Sequence, residues 1–476
     1  MRQAGERAIL SGAEPMARTT DPLYRELAAI VGWEGLLTDP GALATYESDG
    51  FLARARPLAV CLPASTEQVV ALLRLAARRG LPVTPRGAGT GLSGGATPVG
   101  GGLVIGTSRM NRILRLDPEN LRAVVQPGVV NLDLSQAAAR YGLYYAPDPS
   151  SQAVSTIGGN VAENAGGAHC LKYGVTSNHV LGLELVLADG RVVHAGTADA
   201  PGYDLCGLVT GSEGALAFVT AITVRLLPRP ESVRTLLALF ASAPAAGAAA
   251  SAIIGAGIIP AALEYLDRRV IDALRQAGFH DYPDAAEAVL LVEVEGLEEQ
   301  VAGEAGQVQG LLLASGATEV RLASSAAERA RLWAGRKGAL GAFGRLAPNY
   351  YIQDGVVPRS RLADVLAQIE AIAARQGLLI VNVFHAGDGN LHPTILYDAR
   401  APGMTERVVA AGAEILRACV AAGGTLSGEH GVGLEKQMYL DWVFAPADQD
   451  AQRAIKRAFD PALRLNPGKP FSGPVA

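Results

Sequence analysis

Directly after the strand-like Leu81-Pro82-Val83-Thr84 the chain reads Pro85-Arg86-Gly87-Ala88-Gly89-Thr90-Gly91-Leu92-Ser93-Gly94-Gly95. Six of these eleven residues are Gly or Ser. Glycine lets a backbone approach a ligand closely, and successive free N–H groups form an anion-binding nest. The stretch reads as a cradle for a phosphate or pyrophosphate, or as a plain Gly-rich turn between strands. It is not a Walker A loop, because no Gly-Lys-Ser/Thr follows. Nor does it fit the Rossmann fingerprint: Gly87-x-Gly89-x-Gly91 has the wrong spacing, and Leu92–Pro98 cannot start a helix. What the loop holds is decided by the rest of the chain.

With 476 residues, 49% hydrophobic and only 18% charged, the chain can bury a large core in two or three domains. A net charge of −5, with no basic stretch interleaved with aromatics, argues against nucleic acid as the main partner. Cys61, Cys170, Cys206 and Cys419 lie far apart, which suggests neither disulfides nor a thiolate metal or iron–sulfur site. The cytoplasm is the expected compartment. Residues 1–20 mix charges with no apolar core, so they read as a loose leader without a signal peptide. The uncharged run Thr235–Leu263 is long enough to span a bilayer. Its prolines and Ala-rich content instead predict a strand over Thr235–Phe240, an N-cap at Ser242 and a helix.

The pattern then predicts helices over Leu23–Val31, Ser65–Arg79 and Leu132–Tyr141, and strands over Pro57–Pro63, Leu103–Thr107, Ile113–Asp117 and Ala123–Gln126. Asp189-Gly190 marks a two-residue hairpin between Val180–Ala188 and Arg191–Ala195. Pro228-Arg229-Pro230, after the strand Phe218–Leu227, marks a domain boundary. Strand–helix alternation follows, with strands at Ala262–Leu266, Val289–Val294, Glu319–Leu322, Leu378–Phe384 and Thr394–Tyr397. Helices are expected over Ala326–Phe343, Ser360–Gln376 and Thr405–Ala422.

Two further constellations carry chemistry. Ser155–Gly167 is a Gly/Asn-rich loop that could lie against a flat ring, and Ala146–Ser151 is a stiff turn with groups able to reach a phosphate or ring edge. His385-Ala386-Gly387-Asp388-Gly389-Asn390-Leu391-His392 is answered by Ser427-Gly428-Glu429-His430-Gly431, and together they hold three of the seven histidines. Two imidazoles and Glu429 suit Zn²⁺, Mn²⁺ or Fe²⁺, leaving His430 as a general base; turn-capping histidines are the plainer alternative. Arg336-Lys337 is a solvated helix face or a carboxylate-binding pair.

The ordered set Pro85–Gly95, Pro147–Ser151, Gly158–Gly167, Gly211-Ser212-Glu213-Gly214, His385–His392, Ser427–Gly431 and Asn466-Pro467-Gly468-Lys469 resembles the FAD-linked oxidoreductases with a vanillyl-alcohol-oxidase (PCMH) type FAD-binding domain. Within them it is most similar to the flavin subunit of glycolate oxidase and to D-lactate and D-2-hydroxyglutarate dehydrogenases. The resemblance runs from about Arg54 to Lys469. It implies an α+β fold. Residues 1–53 would be leader and helices, and residues 54–230 a PCMH-type domain of two α+β subdomains. Residues 231–425 would form a cap of antiparallel sheet plus helices, and 426–476 a helical segment returning to the flavin.

The resemblance also implies site residues. Arg86, Gly87, Ala88, Gly89, Thr90, Gly91, Leu92 and Ser93 would wrap the FAD pyrophosphate. Pro147, Asp148, Ser150, Gly158, Gly159, Asn160, Asn164, Gly166 and Gly167 would line the ribityl chain and flavin. Glu213, Gly214 and Ile222 would meet the adenine half, and Asn466 the isoalloxazine edge. His385, His392 and Glu429 would bind a divalent metal, Zn²⁺ with Mn²⁺ or Fe²⁺ as alternatives. His430 would contact the substrate hydroxyl and Arg336 its carboxylate. The implied activity is oxidation of a D-2-hydroxy acid, glycolate or D-lactate favoured, to the 2-oxo acid. Electrons would leave to an iron–sulfur partner subunit, a quinone path or an electron-transfer flavoprotein, through which the chain could sit at the inner membrane. A homodimer is compatible with this. Some relatives bind FAD covalently through a histidine in the first Gly loop; this loop has none, which implies dissociable FAD. Thr394 replaces the Asn that contacts substrate in the hydroxyglutarate branch, weakening that alternative. A non-redox, ether-forming synthase of the same fold is the other alternative.

Overall fold

The computed structural model describes residues 21–196, 201–283 and 286–471, so the leader read over residues 1–20 lies outside them. Ser65 caps the helix Thr66–Arg79 by accepting from Gln68 N, and Gly80 ends it. The helix joins two strands, Ala59–Cys61 and Val83–Arg86, which both run parallel to Leu103–Gly106 lying between them. Leu36–Leu37 adds an antiparallel edge, completing a four-stranded sheet. Val69, Leu72, Leu73 and Ala76 on the helix pack with Ala59, Val83, Leu103 and Ile105 of the sheet.

A second sheet of five antiparallel strands follows: Ile113–Asp117, Arg122–Val125, Phe218–Arg225, Val180–Val186 and Val192–Gly196. Its hairpin turns through three residues, not the expected two. Leu187 N donates to Arg191 O, and Gly190 takes φ 82. That matches a type I turn followed by a left-handed residue. The Ser155–Gly167 segment is also corrected, because it is not a continuous loop. Thr156 caps a helix over Ile157–Glu163, accepting from Gly159 N, and Asn164 closes it in the left-handed region.

Beyond Pro230 the chain builds a nine-stranded antiparallel sheet. The sequence pattern did not anticipate its short strands Asn349–Ile352 and Gly355–Val356, which pair with Pro393–Tyr397 and Asn390–Leu391. The expected strand and capped helix after Thr235 are present as Ser232–Phe240 and Ala243–Gly255. No helix among the described residues is long and apolar enough to cross a membrane.

Both faces of this sheet are covered. Helices Ala243–Gly255, Glu298–Ala314, Leu362–Gln376 and Met404–Ala421 pack on one face through Ala249, Val308, Leu366 and Ile415. Arg268–Gln276 and Ala326–Ala342 pack on the other through Leu274, Leu332 and Ala339. Strand side chains alternate between faces. Leu290 and Val292 therefore join the first cluster, and Val289 and Leu291 the second. Following the same alternation, Glu264, Glu293, Glu295 and His385 extend the second face with polar groups where apolar ones would be expected.

These polar groups dock the N-terminal half. Glu293 is fully buried and accepts from Thr235 Oγ1, Arg329 Nε and Nη2, and Trp333 Nε1 at 2.6–2.8 Å. His169 bridges it, at 3.4 Å, to Asp148, 2.9 Å from the other ring nitrogen. Burial opposes the charged imidazole, but the two carboxylates outweigh it and raise the His169 pKa to about 10. Lys172 Nζ donates to Glu295 O, and Tyr173 OH to its carboxylate.

The chain finally returns to the first sheet. Val83 N donates to Arg464 O and Asn466 N to Val83 O, both at 2.8 Å, so the tail runs parallel beside the strand's open edge. Pro85 has no N–H to extend that ladder, which frees the tail after Asn466.

Candidate active site

A cleft of about 530 Å³ lies between the two halves, lined by the first Gly loop, the Ile157–Glu163 helix and residues of the large sheet. Gly87, Ala88, Gly89, Thr90, Gly91 and Leu92 all line it. Among the described residues, their backbone N–H groups donate to no protein acceptor, as an anion nest requires. The loop is braced from behind by a segment that the sequence pattern did not flag. Gly50 N donates to Gly91 O at 2.8 Å, and Asp49 accepts from Ala96 N. Arg86 sends its guanidinium to Ser48 O and Ala96 O and beneath Gly89, which holds φ 74. Arg86 lines the cleft, but its charged end supports the loop.

Loop and helix touch closely. A Cβ on Gly87 would lie 2.6 Å from Thr156 Oγ1 and 3.4 Å from Gly159 Cα. Gly87→Val is therefore expected to pry them apart and weaken FAD binding by at least about tenfold, as overpacking does at a closely packed contact. Retained flavin after desalting, and fluorescence titration of the apo chain, check this.

Ser150, Gly158, Gly159, Asn160, Gly166, Glu213 and Gly214 also line the cleft. Others of the implied cofactor set act differently. Ile222 is a correction: it is fully buried between Val125 and Leu183 in the middle strand of the second sheet, and does not face the cleft. Asp148 and Pro147 stand behind the wall, Asp148 bonded to His169 with Lys337 Nζ 3.5 Å away, and Pro147 O accepting from Asn131 Nδ2. Gly167 packs on the Asp148 backbone, and Asn164 Oδ1 accepts from Ser177 N. Ser93 is buried, its carbonyl accepting from Leu434 N and Glu435 N. Asn466 is buried too and donates to Gly95 O and Glu213 O, stitching two lining elements together; Lys469 Nζ joins it at Gly95 O. His179 bonds Tyr173 O, and neither it nor His169 lines the cleft.

Arg336, His392, Glu429 and His430 line the same cleft. His385 ends the strand Leu379–His385, and the turn through Asp388 and Gly389 leads to Asn390, its cross-strand partner. The two imidazoles end with ring centroids 5.1 Å apart. Glu429 Oε1 lies 3.2 Å from His385 Nε2 and 3.4 Å from His392 Nε2. Gly166 is essential to this approach: a Cβ there would sit 2.5 Å from Glu429 Oε2. Burial raises the Glu429 carboxyl, but His385 and its neighbours outweigh burial and bring it to about 2. His430 stacks on His392 at 4.9 Å, and burial pushes its pKa down to about 4. That direction favours the neutral imidazole a general base requires.

Arg336 is not on a solvated face. It follows Arg329 and Trp333 along one stripe of the helix Ala326–Ala342 and pairs with fully buried Glu264, Nε to Oε2 at 2.7 Å. Thr394 is fully buried and donates to His392 O, away from the cleft lining.

The Ser427–Gly433 turn hangs from two carboxylates: Asp354, which the motifs did not reveal, and Glu213, expected only as a cofactor contact. Asp354, fully buried, accepts from Ser427 Oγ at 2.6 Å, from the N–H groups of Gly428, Glu429 and His430, from Asn390 Nδ2, and from Lys436 Nζ at 3.1 Å. Burial raises its pKa, yet Lys436 and the histidines outweigh that and hold it well below the usual carboxylate range. Glu213 reaches across from the other half, accepting from Val432 N and Gly433 N at 2.7 and 2.8 Å. Asp354, His392 and His430 also cluster closely enough to suggest a cation. The oxygens of Asp354 are already taken by these donors, so the His385–His392–Glu429 set is the better cation site.

Residues 57–196 match the FAD binding domain family and residues 229–470 the family described as FAD linked oxidases, C-terminal domain. The chain is 48% identical to glycolate oxidase subunit GlcD of Escherichia coli (strain K12) over 97% of its own length and 93% of the relative's. It is 35% identical to a D-lactate dehydrogenase of Anaerostipes hadrus, over 89% and 92%. Among solved structures, p-cresol methylhydroxylase with substrate bound superposes with a TM-score of 0.79 at 19% identity, covering 95% and 96%. Alkyldihydroxyacetonephosphate synthase superposes at 0.72 and 20% identity, covering 93% and 85%. At such identities these two speak for the PCMH-type fold alone. With an FAD binding domain, an FAD-linked oxidase C-terminal domain and relatives matched along nearly its whole length, the chain belongs to the FAD-linked oxidases, a family of flavoprotein oxidoreductases.

Proposed function

We propose that the chain oxidises a D-2-hydroxy acid, glycolate or D-lactate, to the 2-oxo acid and passes the electrons to an external acceptor. The observation that carries this is that Arg336, His392, Glu429 and His430 line the same cleft as the Gly87–Leu92 nest. The names of the relatives, glycolate oxidase subunit and D-lactate dehydrogenase, support the same substrate class.

The residues suit both implied groups. The free N–H groups of Gly87 to Leu92 would hold the pyrophosphate of FAD. Bound FAD supplies the hydride acceptor, and the protein positions and tunes it. With no histidine in the Gly loop, the flavin would be held without a covalent bond. His385 Nε2, His392 Nε2 and Glu429 Oε1 form a compact nitrogen and oxygen donor set suited to Zn²⁺, Mn²⁺ or Fe²⁺. Such a cation would acidify the substrate hydroxyl.

The chain's own part is orientation and proton transfer. Arg336 binds the substrate carboxylate and fixes which face of the α-carbon is presented. A ring nitrogen of neutral His430 takes the hydroxyl proton as the α-C–H bond breaks. Electrons then leave to an acceptor outside the chain, an iron–sulfur partner subunit, a quinone or an electron-transfer flavoprotein. The subunit naming of the relatives favours the first.

Anaerobic mixing with glycolate, D-lactate, L-lactate and D-2-hydroxyglutarate tests the reading through the visible absorption band of the oxidised flavin. Glycolate or D-lactate is expected to bleach it; no bleaching by any of the four would refute the proposal. Chelation is expected to abolish bleaching while the flavin stays bound, and cation add-back to restore it. Full activity in a chain shown metal-free by elemental analysis would remove the cation from the mechanism.

A further inference from the structure

Glu264 lies inside the strand Ala262–Asp267, among apolar neighbours, with no exposed surface. Its cross-strand partner in register is His385. Oε1 sits 2.7 Å from His385 Nδ1, while Oε2 takes Arg336 Nε at 2.7 Å and Nη2 at 2.5 Å. Each oxygen therefore serves a different functional side chain. The bond at Nδ1 holds a ring proton there and turns Nε2 toward Glu429 3.2 Å away, so a cation held between the two would take the Nε2 lone pair. The bonds to Nε and Nη2 fix the guanidinium plane of Arg336, which lines the cleft.

We propose that Glu264 is a positioning residue that aligns both ends of the substrate through one carboxylate: it orients His385 toward the cation at the hydroxyl end and Arg336 toward the carboxylate end. This rests on the proposed 2-hydroxy-acid reading. A carboxylate behind a metal-ligating histidine fixes its tautomer and raises its basicity. Here the same group also spends its second oxygen on the anion-binding arginine, so hydroxyl and carboxylate recognition share one anchor. Glutamine cannot replace it, because an amide offers one acceptor oxygen where two partners each need one. Aspartate keeps the charge but is a methylene shorter, and reaches one partner at most.

The test uses the full FAD-loaded chain and its Glu264→Gln and Glu264→Asp variants. Three quantities are read: Zn²⁺ affinity by competition with a chromogenic chelator, glyoxylate affinity from perturbation of the flavin spectrum, and KM against kcat for glycolate. Glu264→Gln is expected to weaken Zn²⁺ by about 10–100-fold, the usual effect of losing such a partner, and glyoxylate by about tenfold. Glu264→Asp is expected to recover one of the two affinities and not the other. If the glutamine variant fails to fold, the aspartate variant alone decides. Variants within about twofold of wild type in either affinity for glutamine, or in both for aspartate, would overturn the proposal, given the effect expected of an outer-shell partner. Wild-type chain that binds no Zn²⁺ and shows no response to glyoxylate would instead overturn the underlying 2-hydroxy-acid reading.

Discussion

Asp354→Ala is expected to lower the unfolding temperature by roughly 3–5 °C and to abolish turnover, given a stability loss of about 3–5 kcal/mol for breaking a buried ion pair. The loss has two parts. Lys436, with no exposed surface, would keep a buried charge whose remaining carboxylate neighbour is Glu435 at 3.7 Å. The N–H groups of Gly428, Glu429 and His430 would also lose their shared acceptor, releasing the turn that presents Glu429 and His430. A second substitution separates the two. Lys436→Met added to Asp354→Ala is expected to recover much of the thermal stability, since an unpaired charge costs more than an apolar side chain of similar size. Turnover should stay absent, because the turn still lacks its anchor. Calorimetry and steady-state assay of the double variant check both halves, and recovered turnover would show that the anchor is dispensable.

His430→Ala is expected to cost about 10²–10⁴ in turnover, the range for a general base, with little change in flavin or metal content. The contrast with Asp354 is the informative feature. His430 Nδ1 has no hydrogen-bond partner among the described residues, and the backbone N–H that Asp354 holds survives the substitution. The fold thus loses a stacking contact with His392 and no side-chain hydrogen bond among the described residues, so a large kinetic effect is not attributable to collapse of the turn. Turnover within about threefold of wild type across the hydroxy-acid panel would remove His430 from the proton-transfer step, since a positioned base is worth far more.

How much of this was legible in the sequence depended on whether partners are near in sequence or only in space. His385 and His392 could be paired from their spacing because a short Gly turn holds them together. Ser242 announced its helix because capping is local. The Gly87–Leu92 nest was legible for the same reason. Glu264 and Asp354 were not, nor was the hold of Glu213 on the Val432–Gly433 backbone. Glu264 meets His385 through strand register across 121 residues, and Asp354 acts on backbone N–H groups more than 70 residues away. Signals existed: Glu264 is the charge that ends the uncharged run from Thr235 to Leu263, and Glu293 and Glu295 are acids in an otherwise apolar strand. A lone carboxylate in such a strand has to find partners, because burying it unpaired is too costly. The sequence could not say which partners. Ile222 erred in the opposite direction, since an apolar residue in a central strand is buried by alternation, and a resemblance in order does not change which way it points.

The return of the tail to the first sheet has a consequence for the order in which the molecule assembles. Asn466 bonds Gly95 O across 371 residues, and Lys469 shares that carbonyl. Closing so long a loop is entropically unfavourable until the intervening chain has folded. During synthesis the N-terminal half, with the whole Gly loop, leaves the ribosome first and can fold as a unit. Its cleft then lacks the clasp that ties Gly95 to Glu213, and the nine-stranded sheet must form before the clasp can arrive. Flavin captured early would be held by the nest alone, and the grip would tighten only when residues 464–469 dock. The tail thereby makes firm retention of the cofactor a report that everything between has folded.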